Sequence, residues 1–291
     1  MHLRPMKNLG KREAILAASQ LIRQLSPKIP RQLRLLELGC GEGQILGTLV
    51  EAHAQLCDTH NCTGVDYNAK SLATCRQDYP AQRWIDGDFT DSTFLTKLGT
   101  FDIVILVNAL HHVFSDCYSA KLGETDVKLG KQRVEQTLCS IVDQLEPEGW
   151  VILFDGLEMP GNPQKTVMIR FRDEDIRQDF EKFAQQYQPF RITYNNTNDP
   201  LGVTVSQRDF TRYITKSIFL RKQLWKSERL ESYQYYTEEE FRSAFSHHGL
   251  YITELRTLTV NAQKWHRLIN IITPEVKFPE EHILILAQKK G

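Results

Sequence analysis

Short apolar runs and helically spaced apolar positions take turns along this chain. Leu33–Leu38, Phe101–Val107 and Trp150–Asp155 are nearly continuous apolar segments, the pattern of strands covered on both faces. Cys62–Asp66 and Gln82–Ile85 are shorter strands of the same series. Between them, Ile15, Leu16, Ala18, Leu21, Ile22 and Leu25 fall on one helical face, as do Ile45, Leu46, Leu49 and Val50, and later Val134, Leu138, Ile141, Val142 and Leu145. Asn68–Tyr79 is also predicted helical, with Asn68 as its cap. Strand–helix alternation predicts an α/β domain built on a mostly parallel sheet.

The alternation stops after Asp155. From Gly156 to about Tyr235 the pattern predicts a helical insertion, with helices over Gln164–Tyr187 and Asp209–Leu230. Ser115–Gly130 reads as an extended loop, with a helix following over Lys131–Leu145. After the insertion, Thr237 with Glu240 forms the signature of a capping box, and Gly249 ends that helix. His247 and His248 sit in its last turn, where a helix dipole favours cations, and read as structural. Tyr251–Val260 and His282–Ala287 are the closing strands; the excursion between them, through Trp265–Ile272 and Pro274–Pro279, reads only as partial cover for the core.

Composition narrows the class. The 291 residues are 41% apolar, and 36 basic side chains balance 36 acidic ones, which argues against a surface that coats nucleic acid or membrane. The six cysteines are scattered without a Cys-x-x-Cys pair, and Cys57 to Cys62 matches no common zinc spacing, so neither a disulfide framework nor a metal site is predicted. The N-terminal stretch, with Arg4, Lys7, Lys11 and Arg12, lacks the apolar centre of a signal peptide, and a cytoplasmic location is expected. One local departure stands out: Arg208–Glu231 holds seven basic residues against three acidic ones.

Candidate chemistry starts at Leu35-Leu36-Glu37-Leu38-Gly39-Cys40-Gly41-Glu42-Gly43, a strand that runs into alternate glycines and then a helix. Such a turn lets backbone approach a nucleotide-type ligand. Its order is not that of a dinucleotide fingerprint, because Glu37 lies inside the strand end, where a carboxylate would repel pyrophosphate and attract a cationic group. Asp66 ends the second strand 23 positions after Gly43, placed to accept ribose hydroxyl protons. Asp86-Gly87-Asp88-Phe89 follows the third strand and Asn108-Ala109-Leu110-His111-His112 the fourth.

These four motifs in register resemble the class I S-adenosylmethionine-dependent methyltransferases. The resemblance runs motif by motif over Leu33–Asp155 and by order of elements over Tyr236–Gln288. It implies a doubly wound, seven-stranded, mostly parallel Rossmann-like sheet with an inserted lid. Three parts follow: 1–155 with the N-terminal helix and cofactor-binding half, 156–235 as an acceptor-binding insertion, and 236–291 completing the sheet. The implied cofactor is S-adenosylmethionine, leaving as S-adenosylhomocysteine. Its contacts would be Glu37 near the amino group, the loop Gly39, Cys40, Gly41 and Gly43, then Asp66, Tyr67, Asp88 at the adenine amine, Phe89 over the ring, and Asn108. His111 or His112, with Asp155 second, are the candidate general bases for an acceptor that must lose a proton. His112, Tyr213, Trp225 and Tyr236 are the candidate acceptor contacts. The expected reaction is in-line methyl transfer to a small-molecule acceptor, anionic or aromatic. An RNA- or protein-directed enzyme using the basic insertion, and more remotely an NAD-dependent oxidoreductase, are the alternatives.

Overall fold

A computed structural model describes residues 8–162 and 164–290, so Arg4 and Lys7 of the N-terminal stretch lie outside the described residues. In chain order the strands used below are β1 Leu35–Leu38, β2 Thr63–Asp66, β3 Arg83–Asp86, β4 Phe101–Val107, β5 Leu145–Gly156, β6 Thr166–Phe171, β7 Tyr194–Asn196, β8 Gly202–Ser206, β9 Leu250–Leu258, β10 Ile269–Ile271 and β11 His282–Lys289. The helices are α1 Leu9–Leu25, α2 Gln44–Ala52, α3 Ala69–Asp78, α4 Leu110–Ser115, α5 Val127–Asp143, α6 Glu174–Gln186, α7 Gln207–Lys216 and α8 Glu238–His247.

Seven strands form the main sheet in the order β9-β11-β5-β4-β1-β2-β3. β1 pairs in parallel with both β2 and β4, and β4 in parallel with β5, while β11 runs antiparallel between β5 and β9. The order reverses beside β1, and the crevice above the carboxyl ends of β1 and β4 is where open α/β sheets bind ligands. β11 is antiparallel with His282 opposite Gly156, so its first residue joins that same edge.

Apolar residues cover both faces of this sheet, as the uninterrupted runs of β4 and β5 require. On one face Ile15 and Leu21 of α1 and Leu46 and Leu49 of α2 are buried with Trp84. On the other, Leu138 and Ile141 of α5 meet Phe241 and Phe245 of α8. Local signals hold the boundaries: Asn68 caps α3 through Lys70 and Ser71 N–H, and Thr237 and Glu240 form the reciprocal capping box of α8. His248 pairs with Glu135 at 2.6 Å, consistent with a structural role.

The stretch after His112 is more ordered than the sequence suggests. α4 runs to Ser115, α5 starts at Val127 with Asp126 as its cap, and a small hairpin pairs Tyr118–Ser119 with Glu124–Thr125. The insertion also departs from a helical one. It carries a second, antiparallel sheet ordered β10-β6-β8-β7. The expected helix over Gln164–Tyr187 is strand β6 followed by α6, because Val167, Ile169 and Phe171 alternate inward while Thr166 and Met168 face out. α7 stops at Lys216, and a short turn of helix at Trp225–Glu228 replaces the rest of the second expected helix. β10 comes from the stretch after β9 and pairs with β6, so residues 269–271 extend the insertion's sheet rather than the main one.

Candidate active site

The loop after β1 uses its glycines in two ways. Gly39, Gly41 and Gly43 all have positive φ, at 70°, 54° and 71°. A Cβ on Gly39 would lie 2.8 Å from Ala109 Cβ, and one on Gly43 2.6 Å from the Trp84 ring, so packing demands glycine at both. At Gly41 a Cβ would meet nothing within 4 Å: that position faces open space at the mouth of the crevice. Asp66 pins this loop, with Oδ2 accepting the Gly41 N–H at 2.7 Å and Oδ1 accepting the Asn68 N–H at 2.8 Å.

Glu37 lies behind the loop, 2% exposed, and its Oε2 accepts the Leu46 N–H of α2 at 2.9 Å. Burial without a full ion pair pushes its carboxyl up to about 8. Cys40 is buried, with its thiol beside Cys75, whose Sγ donates to the Gly41 carbonyl at 3.1 Å. Phe89 is buried and comes within 3.9 Å of the Gly39 Cβ direction. Asp88 is exposed, with Oδ1 accepting from Thr90 N–H and Oγ1–H. Tyr67 is 71% exposed. Partial burial and the surrounding carboxylates of Asp66, Asp116, Glu231 and Asp88 raise its phenol pKa. The crevice is therefore acidic, the polarity that suits a sulfonium and an ammonium.

At the end of β4, Asn108 takes φ 51°, donates its N–H to the Phe154 carbonyl at 2.8 Å, and has a buried Oδ1 without a hydrogen-bond partner among the described residues. α4 then presents the two histidines in different environments. His111 Nδ1 is 2.8 Å from Asp155 Oδ1, its N–H donates to Asp155 Oδ2 at 3.1 Å, and neither side chain is exposed. Burial opposes charge on His111, but the charge and hydrogen bond of Asp155, with Glu231 behind, outweigh it and raise its pKa. The same balance holds Asp155 below the usual carboxylate range: burial opposes ionisation, and His111 and the N–H groups of Gly156 and His111 overcome it. His112 goes the other way. Burial and the neighbouring His111 charge lower it to about 4, while 38% of its side chain remains exposed.

The insertion completes this cluster with residues the sequence reading did not single out. Glu231 puts one oxygen 3.8 Å from His111 Nε2 and the other 3.6 Å from His112 Nδ1, and its pKa is lowered to about 2: His111, Lys216 and His112 outweigh burial. Lys216, fully buried, reaches Glu228 at 2.6 Å and Glu231 at 3.4 Å, and lies 4.0 Å above the Tyr233 ring. That ring sits 3.9 Å from His111. His111, His112 and Glu231 offer donor atoms within 4.8 Å of one another, a set no sequence spacing announced. Lys216 already sets a positive charge on the Glu231 oxygen nearer His111, so the cluster reads as an ion-paired network.

The expected acceptor contacts are scattered. Tyr213 is 1% exposed and packs edge-on against Phe171, Phe180 and Phe183 inside the insertion. Trp225 is 7% exposed, with its indole N–H donated to Gln186, and Tyr236 donates its hydroxyl to the Lys131 carbonyl. All three are buried, and the aromatic spacing of Tyr213 and Trp225 marked the insertion's own core. Four of the seven basic residues of Arg208–Glu231 are paired: Arg208 with Glu158, Arg212 with Asp209, Lys216 with Glu228 and Glu231, Arg221 with Asp179. A cavity of about 390 Å³ does open beside Asn108, between the start of α1, the end of α7 and the start of β11.

A parallel sheet with a glycine loop at its switch point and an acid ending β2 defines a Rossmann-like nucleotide-binding architecture. Residues 36–153 match the family described as a methyltransferase domain. Over these residues the chain carries a methyltransferase domain on its Rossmann-like sheet. No curated protein matches the chain by sequence. Among solved structures, the carbon methyltransferase CurJ is similar over 98% of this chain and 56% of its own, at 14% identity and TM-score 0.50, so the chain spans just over half of that relative. Magnesium protoporphyrin IX methyltransferase from Synechocystis PCC 6803, with bound S-adenosylhomocysteine, covers 99% of this chain and 90% of its own at 11% identity and TM-score 0.49. A Bacillus halodurans C-125 putative methyltransferase covers 94% and 100% at 12% identity and TM-score 0.49. The residues fit S-adenosylmethionine, the cofactor the family resemblance implies: Gly41 leaves room and carboxylates surround the crevice. Among the described residues no helix is long and apolar enough to cross a membrane.

Proposed function

We propose that this chain transfers a methyl group to a small-molecule acceptor held above the ends of β4 and β5, beneath the insertion. The cofactor, when bound, supplies an electrophilic methyl on a sulfonium. The protein's share is then to hold the acceptor in line and keep water out. Asp155 and His111 act together as a positioning pair. Asp155 has both oxygens occupied, and His111 is out of solvent with its Nδ1 engaged by Asp155, so neither suits a general base. His112, neutral above about pH 4 and partly exposed, is the residue left to accept a proton from an acceptor that must lose one. The observation that supports the assignment is geometric: His111 is wholly buried against Asp155, while its neighbour His112 keeps 38% of its side chain exposed.

Four of the seven cations of Arg208–Glu231 are paired with internal carboxylates, which supports a small molecule over a nucleic acid. Calorimetric titration of S-adenosylhomocysteine into wild type and Asp66→Ala tests the cofactor site. Micromolar binding that is lost in the variant is expected. Absence of binding to folded wild type would overturn the reading.

A further inference from the structure

The cavity beside Asn108 has a chemical polarity of its own. At about 390 Å³ it is the size of a small-molecule pocket. Ile214, Ile218 and Val260 give it an apolar wall. Its polar side holds Glu281, 1% exposed, whose Oε1 accepts the Val260 N–H at 2.7 Å while Oε2 has no hydrogen-bond partner among the described residues. His282, 6% exposed, holds Nδ1 3.7 Å from Glu281 Oε1, without a hydrogen bond, and Asn108 Oδ1 has no hydrogen-bond partner among the described residues. A buried carboxylate oxygen without a donor is costly unless something supplies one. Two of these three orphans are acceptors, and one belongs to an acid. The complement is a ligand rich in N–H donors, with positive charge at one pole and an apolar body. Lys222 lines the same cavity, but it is exposed and its ammonium lies 5.4 Å from the Phe219 ring.

We propose that this cavity is the acceptor subsite and that it selects a small molecule with an ammonium or similar N–H-bearing pole, recognised by Glu281. The inference rests on the methyl-transfer reading for its location and adds the acceptor class. It replaces the anionic acceptor expected from charge counting. Recognition is all that is assigned; the pole and the methylated atom need not coincide.

Benzylamine, benzyl alcohol and benzoate share a body and differ at the pole, so they make the probe set for calorimetry on protein saturated with S-adenosylhomocysteine. Benzylamine should bind the most tightly of the three, and Glu281→Gln, which keeps an acceptor for Val260, should weaken it about tenfold or more. Lys222→Ala, a surface change, should tighten benzylamine binding by removing a like charge. Equal binding of amine and alcohol, a preference for benzoate, or no change in both variants would overturn the proposal. Should Glu281→Gln fail to bind S-adenosylhomocysteine and so prove misfolded, Lys222→Ala decides alone, and unchanged or weaker amine binding there overturns it. Failure of wild type to bind S-adenosylhomocysteine would strike the methyl-transfer reading instead, a separate result from the order of the three probes.

Discussion

His111 Nδ1 lies 2.8 Å from Asp155 Oδ1, with both side chains wholly removed from solvent at the junction of α4 and β5. A pair this deep is held by its partners, and taking one away strands the other. Asp155→Ala should therefore cost about 3–5 kcal/mol in urea unfolding, the usual penalty for an uncompensated buried charge. The pH dependence follows from the two shifts. His111 is raised above 6.5, so its contribution is complete below 6.5 and fades as pH climbs through the raised value. Asp155 is lowered below 3.8, so its contribution is complete above 3.8 and is lost as pH falls through the lowered value. The gap between wild type and variant should be widest between those limits and shrink in alkali; a gap that grows above pH 8 would contradict the pairing.

His112 should behave oppositely. Its folded value of about 4 lies below the ordinary 6.5, so the unfolded chain takes up a proton first as pH drops, and folded-state stability falls between those values. His112→Gln should remove that part of the slope. If His112 is the proton acceptor, the substitution should lower kcat by about 10²–10⁴-fold while leaving S-adenosylhomocysteine affinity nearly unchanged. Unaltered kcat with the true acceptor would leave transfer to positioning alone.

Sequence reading reached the main sheet and stopped at the insertion for a physical reason. Glu37, Gly41, Asp66 and Asn108 are placed by strand ends and the turn that follows each, so local order predicts them. β6, by contrast, is completed by β8 and by β10, which lies about a hundred residues further along, and nothing local announces that pairing. A charge count over Arg208–Glu231 could not see that Lys216 folds back on Glu228 and Glu231. Nor could aromatic spacing separate Tyr213, in the insertion's core, from Tyr233, whose ring lies tilted against His111. Polar atoms such as Glu281 Oε2 become informative only once burial is known.

Gly41 and Gly43 share a backbone conformation and should fail differently. Alanine at either pays about 1–2 kcal/mol for the left-handed region. At Gly43 the new Cβ also meets Trp84 at 2.6 Å, so Gly43→Ala should lose the larger stability and shift the thermal midpoint further. At Gly41 no protein atom objects. Gly41→Val should therefore lose less stability than Gly43→Val, which adds a clash to the same strain, yet bind S-adenosylhomocysteine much more weakly than wild type. Equal binding by Gly41→Val and wild type would place the ligand elsewhere.

Glu37 offers the sharpest test, because its proton can be counted. Burial raises the carboxyl to about 8, so at pH 7 the ligand-free protein carries it mostly protonated. In this state Glu37 only braces α2 through the Leu46 N–H. A ligand whose ammonium docks against that carboxyl must ionise it, and binding then expels close to one proton per site. Titrating S-adenosylhomocysteine at pH 7 in phosphate and in Tris, whose ionisation enthalpies differ, should reveal about one proton released. Glu37→Gln keeps the acceptor for Leu46 but has no proton to give. It should abolish the buffer dependence and weaken binding about 10–100-fold, the worth of a charge-assisted hydrogen bond. The same variant should gain on wild type in stability as pH rises from 4.5 towards 8, where the folded protein alone holds the Glu37 proton and loses stability by doing so. Binding without proton release, together with that stability change, would make Glu37 a strut for α2 and move recognition of the amino group to another acid of the crevice.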